Sequence, residues 1–175
     1  MGCREPFAVD FDHLHERMTR PALAEDLKIV HMENAYDLLD CIALSGDRVA
    51  NYLGEGPYNT EDRPLIEFRA PRNMSRVVTE FRNLQRIMQY RNFPQGVLAS
   101  WGASPEEGGQ RVRTLQRYYE ATGMVLQAHQ YHLLSQVALE VDLLKRALEI
   151  NPDDRDAPFL GKRLSRMVDG KRVDW

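Results

Sequence analysis

The helix-breaking residues between positions 54 and 74 constrain the fold of this chain more than any other feature. They recur at intervals too short for a helix: Gly54, Gly56, Pro57, Asn59, Pro64 and Pro71. Within this stretch residues 65–69 alternate, and Ile66 and Phe68 share one side, which predicts a β-strand. A strand needs a hydrogen-bonded neighbour. The neighbour is either a weaker segment of this chain or a sheet in another polypeptide region.

The residues before this stretch are predicted to form a series of short helices. Asp10 can cap a first helix, whose apolar residues recur at spacings of three and four. Pro21 suits the first turn of a second helix, where its missing N–H costs nothing. Asn34 can cap a third helix, which Gly46 would end. A last short turn stops at Gly54.

The residues after the break are predicted to be helical again. An apolar stripe predicts a helix over residues 75–90, and a proline opens a short helix over 94–101. A serine cap followed by proline and glutamate predicts a helix over 104–122. Residues 124–134 and 136–150 are predicted to form two antiparallel helices.

Together these elements predict a mainly α fold with one short β-strand region, followed by antiparallel helical hairpins. The break divides the chain into two predicted units. Residues 1–73 hold the short helices and the strand 65–69, and residues 74–175 form a helical module.

The composition is that of an ordinary globular protein, with 43% hydrophobic and 28% charged residues in a chain of 175. The net charge of −3 provides no general attraction to nucleic acid or anionic membranes. No run approaches the roughly 20 apolar residues of a membrane span, and the N-terminus lacks the apolar run of a signal peptide. Cys3 and Cys41 match no metal or redox spacing and are predicted to be free thiols. We therefore expect a cytoplasmic protein without direct membrane insertion.

Residues 59–72 carry the first resemblance to a known family. They read Asn-Thr-Glu-Asp-Arg-Pro-Leu-Ile-Glu-Phe-Arg-Ala-Pro-Arg. This segment resembles the one that follows the catalytic domain in bacterial spermidine synthase-like proteins, which are polyamine aminopropyltransferase-like and in some cases fused to major-facilitator-like membrane segments. The resemblance covers residues 3–72. Its charged residues are candidates for a ligand site or an ion-pair network: Asp62, Arg63, Glu67, Arg69 and Arg72.

The glycine-rich turn on which that family's chemistry depends has no counterpart in this sequence. The resemblance implies that such a turn, after a first parallel strand, would hold decarboxylated S-adenosylmethionine. Gly54 and Gly56 instead follow a predicted helix. The family's catalytic residues therefore have no positions here onto which they can be carried, and we predict no catalytic residue, no cofactor and no independent enzyme activity.

Residues 147–154, which read Ala-Leu-Glu-Ile-Asn-Pro-Asp-Asp, resemble the end of a tetratricopeptide repeat. Ala128 lies where the first helix of that repeat needs a small residue, and Tyr131 where an aromatic residue is usual. Glu140 occupies a position that prefers alanine. The resemblance covers residues 121–154 and implies one helical hairpin rather than a long solenoid.

Several other side chains permit both a functional and a structural interpretation. Aromatic residues can line a peptide groove or fill the core: Trp101, Tyr118, Tyr119 and Tyr131. His129 and His132 share a helix face but lack a third ligand, so we predict no metal site. The arginines of residues 62–91 favour a solvated or acid-binding face over nucleic-acid binding.

Three hypotheses for function follow. The leading one is a non-catalytic helical module of a spermidine synthase-like protein that mediates protein–protein or interdomain packing. Its partner would be a protein, such as a synthase-like domain or a membrane-fused homologue. The second is a remnant polyamine or nucleoside site of an aminopropyltransferase-like enzyme, with Asp62 and Glu67 facing the amine. The third is a free-standing tetratricopeptide-like adaptor.

Overall fold

A computed structural model of the chain describes residues 9–55, 77–154, 157, 158, 160 and 161. Within these residues the chain is mainly helical, which confirms the predicted fold class. The helices are α1 (Phe11–Met18), α2 (Pro21–Ile29), α3 (Ala35–Asp40), α4 (Asp47–Leu53), α5 (Val77–Tyr90), α6 (Pro105–Leu133) and α7 (Val137–Ile150), with a turn of 3₁₀ helix at Gln95–Val97. The strand predicted at residues 65–69 lies outside the described residues.

Two short strands lie where the sequence predicted none. β1 (Val9–Asp10) pairs in parallel with β2 (Leu98–Ser100), with Val9 opposite Leu98 and one irregularity in the register. The short helix predicted over residues 94–101 is therefore wrong, because the chain leaves its 3₁₀ turn and becomes extended. A glycine in this segment disfavours a helix. The strand's partner lies almost ninety residues upstream, so local periodicity could not reveal it.

Predicted capping residues begin three of the helices. The side chain of Asp10 accepts a hydrogen bond from the third backbone N–H of α1 at 2.8 Å. Asn34 accepts from the N–H of Asp37 at 3.1 Å, and the Asp37 carboxylate accepts from the N–H of Asn34 at 3.0 Å. Ser104 accepts from the N–H of Glu107 at 3.2 Å. These contacts satisfy N–H groups that have no partner within their helices.

Helix α6 runs without interruption for 29 residues. The predicted helix end near Thr122 and the new helix from residue 124 are therefore wrong. Gly123 lies inside the helix, where a glycine costs about 1 kcal/mol relative to alanine. Packing on both sides of Gly123 offsets that cost, because Ala121 and Val125 are both buried.

The aromatic core joins the short helices to the first half of α6. Its buried members are Phe11, Met18, Ala35, Leu39, Leu98, Leu115 and Tyr118. The ring of Tyr36 lies 5.1 Å from that of Phe11 and 5.5 Å from that of Tyr118, between centroids. This core draws residues from both sides of the predicted boundary at residue 73.

The alanine core lies between the second half of α6 and α7, which are joined by residues 134–136. Its buried members are Ala121, Val125, Ala128, Leu143, Leu144, Ala147 and Ala157. The small side chains of Ala128 and Ala147, which are fully buried, let the two helices approach closely. The tetratricopeptide character of this pair stays a prediction.

Candidate functional site

The residues singled out in the sequence fall in different parts of the molecule. The five charged candidates of the predicted ligand site lie outside the described residues: Asp62, Arg63, Glu67, Arg69 and Arg72. Tyr118 is buried in the aromatic core, and Tyr131 packs against the alanine core. Trp101 and Tyr119 come together around Phe93, with ring centroids 6.5 and 5.6 Å from it. The four aromatic candidates therefore do not share one surface.

The side chain that organises this region is Arg91, just beyond the end of α5. Its guanidinium forms an ion pair with Asp40 at 3.1 Å, and the two side chains are only 7% and 9% exposed. Nη1 of Arg91 also donates to the carbonyl of Tyr119 at 2.7 Å, and the guanidinium lies 3.5 Å from the centre of the Tyr119 ring. The hydroxyl of Thr122 donates to the Asp40 carboxylate. This arrangement joins α3, α5 and α6 through one buried cation.

The electrostatics of this group favour a structural role. Burial lowers the pKa of Arg91, while the charge and hydrogen bond of Asp40 act to raise it. Burial also raises the pKa of Tyr119, against the opposing charge of Arg91. A guanidinium remains charged at neutral pH even when its pKa is lowered. The guanidinium therefore stays charged beside a neutral phenol, and its contacts fix three helices.

Gly123 makes room for this guanidinium. A Cβ atom at Gly123 would lie 3.1 Å from Nη1 of Arg91. Gly123 lies between the two helices predicted over 104–122 and 124–134, but in the fold it permits a continuous α6 to pass close to a buried cation.

Asn92, the next residue, holds the loop between α3 and α4. Its Nδ2 donates to the hydroxyl of Ser45 at 2.8 Å, and its Oδ1 accepts from the N–H of Ser45 at 2.9 Å. Its own N–H donates to the carbonyl of Ala43 at 3.1 Å. Gly46 then reverses the chain with a φ of +57°, a value that favours glycine. This loop is therefore fixed by side-chain and backbone contacts to the end of α5.

Between this loop, the start of α4 and the 3₁₀ turn lies a cavity of about 720 Å³. Ile42, Leu44, Phe93 and Val97 supply apolar lining. The charged residues Asp47 and Arg48 also line it. Cavities of roughly 300 to 1,000 Å³ with mainly apolar walls and a few polar groups are typical of small-molecule sites. We take this cavity, which we call the Phe93 cavity, as the candidate site.

A second, smaller cavity of about 120 Å³ has an acidic wall. Asp37, Asp40 and Asp154 line it, together with Tyr118 and Thr122. Each of these carboxylates also has a structural contact. Asp37 caps α3 and Asp40 pairs with the buried Arg91. Asp154 accepts a hydrogen bond from the N–H of Ala157 at 2.8 Å.

The two histidines considered as metal ligands each contact a carboxylate. Nε2 of His129 lies 2.9 Å from Oε1 of Glu80, and Nδ1 of His132 lies 3.2 Å from Oε2 of Glu140. Among residues that the structure describes, no group of three or more potential ligands could hold a metal ion. Glu140 is 2% exposed, and its contact with His132 accounts for a glutamate where the repeat pattern prefers alanine.

Sequence reasoning missed the charged residues around both ends of the aromatic core. Arg111 contacts Asp12 at 2.7 Å and Glu107 one turn earlier, and it lies 4.5 Å from the centre of the Phe11 ring. Of these contacts, only the ion pair of Glu107 with Arg111 could have been predicted, because the two residues are four apart on one helix. Nothing local pairs position 40 with position 91.

No protein-family model matches the chain, and no curated protein or solved structure matches it either. Within the described ranges, none of the helices has the length and apolar character needed to cross a membrane.

Proposed function

We propose that this chain is a non-catalytic helical module of a spermidine synthase-like protein, and that it packs against a partner protein or a neighbouring domain. The observation that carries the proposal is an exposed apolar surface on α2 and the residue after it. This surface, the α2 face, consists of Leu23, Ile29 and Val30, whose exposed fractions are 38%, 77% and 56%.

Helix α2, which carries the α2 face, contributes little to the core of the described residues. None of the residues of α2 is fully buried, although Leu27 packs partly against the aromatic core. Covering an exposed isoleucine or valine contributes about 1.5 to 3 kcal/mol. Clusters of exposed apolar side chains occur at protein interfaces. The resemblance of residues 59–72 supports a synthase-like domain as the partner, and the resemblance of residues 121–154 to a protein-binding repeat supports a protein as the ligand.

Co-expression tests this proposal directly. The chain is produced with a tagged spermidine synthase-like catalytic domain, and the complex is sought by affinity capture and size-exclusion chromatography. We expect the double variant Ile29→Ser, Val30→Ser to lose most of the capture. The matched control, Leu134→Ser with Leu139→Ser, also removes two exposed apolar side chains and should bind like the unmodified chain. Equal loss in both variants, or no complex at all, would count against the α2 face.

The acidic wall of the smaller cavity favours a second candidate, a remnant site for a cationic amine. A protonated amine would be attracted to the carboxylates of Asp37, Asp40 and Asp154, which line this cavity. Isothermal titration calorimetry with spermidine, putrescine and methylthioadenosine measures the binding. We expect Asp154→Asn to weaken amine binding if this cavity is the site, and Asp62→Ala to weaken it if the predicted site is used. Absence of heat with every ligand would remove this candidate.

A further inference from the structure

Contacts within the chain hold the walls of the Phe93 cavity in place. The ring of Phe93 stacks on Trp101 with an interplanar angle of 9° and meets the edge of Tyr119 at 89°. Another part of the wall is the loop that Asn92 fixes through Ser45. A ligand entering such a cavity orders few side chains on binding, which lowers the cost of association.

The charged side chains at the rim of the cavity determine which ligand charge it favours. Asp47 lies in the first turn of α4, where the backbone N–H groups partly compensate a negative charge. Arg48 forms no ion pair with any carboxylate in the described part of the chain. The positive charge of Arg48 also acts on the phenol of Tyr119, where it lowers the pKa against the larger, raising effect of burial. The cavity rim therefore carries the carboxylate of Asp47 and the guanidinium of Arg48 beside apolar walls, and Arg48 has no ion-pair partner among the described residues.

The geometry points to a binding site in the Phe93 cavity for a small amphipathic anion, with an aromatic or aliphatic body against Leu44, Phe93 and Val97 and a carboxylate or sulfonate at Arg48. The walls supply the apolar contact and the arginine supplies the orientation. This inference does not depend on the packing role of the α2 face.

A matched pair of fluorescent probes tests both halves of the inference. The anion is 1-anilinonaphthalene-8-sulfonate, and N-phenyl-1-naphthylamine is its neutral analogue with the same rings. We expect both to bind the unmodified chain saturably with one site. Arg48→Gln should weaken the sulfonate roughly three- to tenfold, as expected for one partly exposed charge pair, and leave the neutral probe unchanged. Arg113→Gln, an exposed arginine on α6, is the matched control and should change neither.

Gly96→Leu tests the location. Gly96 lines the cavity, and a Cβ atom there would meet nothing within 4 Å, so a larger side chain can enter the open space without a clash. We expect this variant to weaken both probes at least tenfold while its circular dichroism and melting temperature stay close to those of the unmodified chain. The Ile29→Ser, Val30→Ser variant should leave both titrations unchanged, which separates the cavity from the α2 face.

Each remaining outcome overturns part of the inference. Equal effects of Arg48→Gln on both probes, or none on the sulfonate, would refute the anionic class. Unchanged binding in Gly96→Leu, or no saturable binding to the unmodified chain, would refute the site.

Discussion

The aromatic core and the alanine core are held together by different kinds of contact. In the aromatic core, rings from distant parts of the sequence pack beside buried or partly buried arginines, such as Arg91 with Asp40 and Arg111 with Asp12. In the alanine core, two consecutive helices approach through small side chains, and Glu140 with His132 is the buried polar contact described there. The first core therefore depends on matched charges and the second on close packing.

The largest expected effect comes from removing the buried cation. Arg91→Met keeps most of the side-chain volume but leaves the Asp40 carboxylate buried without its arginine. We expect a loss of roughly 3 to 5 kcal/mol in the free energy of unfolding, measured by urea titration. Arg86→Met is the matched control, because Arg86 is exposed and donates to the carbonyl of Tyr52; it should cost less than about 1.5 kcal/mol.

A second substitution shows whether the loss comes from the unpaired charge. Asp40→Asn in the Arg91→Met background removes the buried carboxylate, so we expect the double variant to be more stable than Arg91→Met alone. If the stability losses of Arg91→Met and Asp40→Asn, each measured alone, simply add in the double variant, the aromatic core does not depend on this pair.

The alanine core should respond to a change of volume instead. Leu144 is fully buried between α6 and α7, so Leu144→Ala leaves a cavity. We expect a loss of roughly 3 kcal/mol in the free energy of unfolding. Leu139→Ala, half exposed on the same helix at 48%, is the control and should cost much less. A small loss for Leu144→Ala would show that the helices close the gap.

The sequence predicted what is local in both regions. Asp10, Asn34 and Ser104 cap helices as predicted, because a cap and the N–H groups it accepts from lie within three residues. The repeat resemblance predicted small residues at Ala128 and Ala147, and both side chains are buried between neighbouring helices.

What the sequence did not predict is non-local. Pairing of β1 with β2 and of Asp40 with Arg91 joins segments that no spacing rule connects. The Phe93 cavity was missed for the same reason, because its walls come from the α3–α4 loop and from the residues after α5. The role of Gly123 was not predicted either, because it depends on Arg91, a residue outside its own helix.

Gly123→Ala tests whether the close approach of α6 to Arg91 matters for stability. In an exposed helix interior, glycine to alanine stabilises by up to about 1 kcal/mol. At Gly123 the new Cβ lies 3.1 Å from a guanidinium that is held by Asp40 and by Tyr119. We therefore expect a net loss of about 1 kcal/mol, measured by urea titration, and a gain in the Arg91→Met background.

Gly109→Ala is the control for this prediction. Its Cβ would meet only Nη1 of Arg113, at an ordinary 3.5 Å, so the variant should be as stable as the unmodified chain or slightly more so. Stabilisation by Gly123→Ala in the unmodified chain would show that the buried arginine can move away at little cost.

The smallest expected effect concerns the partly exposed ion pair of Asp12 with Arg111. The hydrogen bond from Arg111 lowers the pKa of Asp12 against a smaller, raising effect of desolvation. A carboxyl group whose pKa is lowered by folding contributes stability above its ordinary pKa of about 4. That contribution is lost as the pH falls through the lower, folded-state pKa.

Melting temperatures of the unmodified chain and of Asp12→Asn, followed from pH 7 to pH 2, measure this contribution. We expect Asp12→Asn to melt at a slightly lower temperature than the unmodified chain at neutral pH. The difference should vanish in acid, because the protonated Asp12 is then as uncharged as the asparagine that replaces it. Added salt should shrink the difference at neutral pH, since the Asp12 side chain is 57% exposed and the pair is screened. A difference that persists at low pH would mean that the side chain acts through its shape rather than its charge.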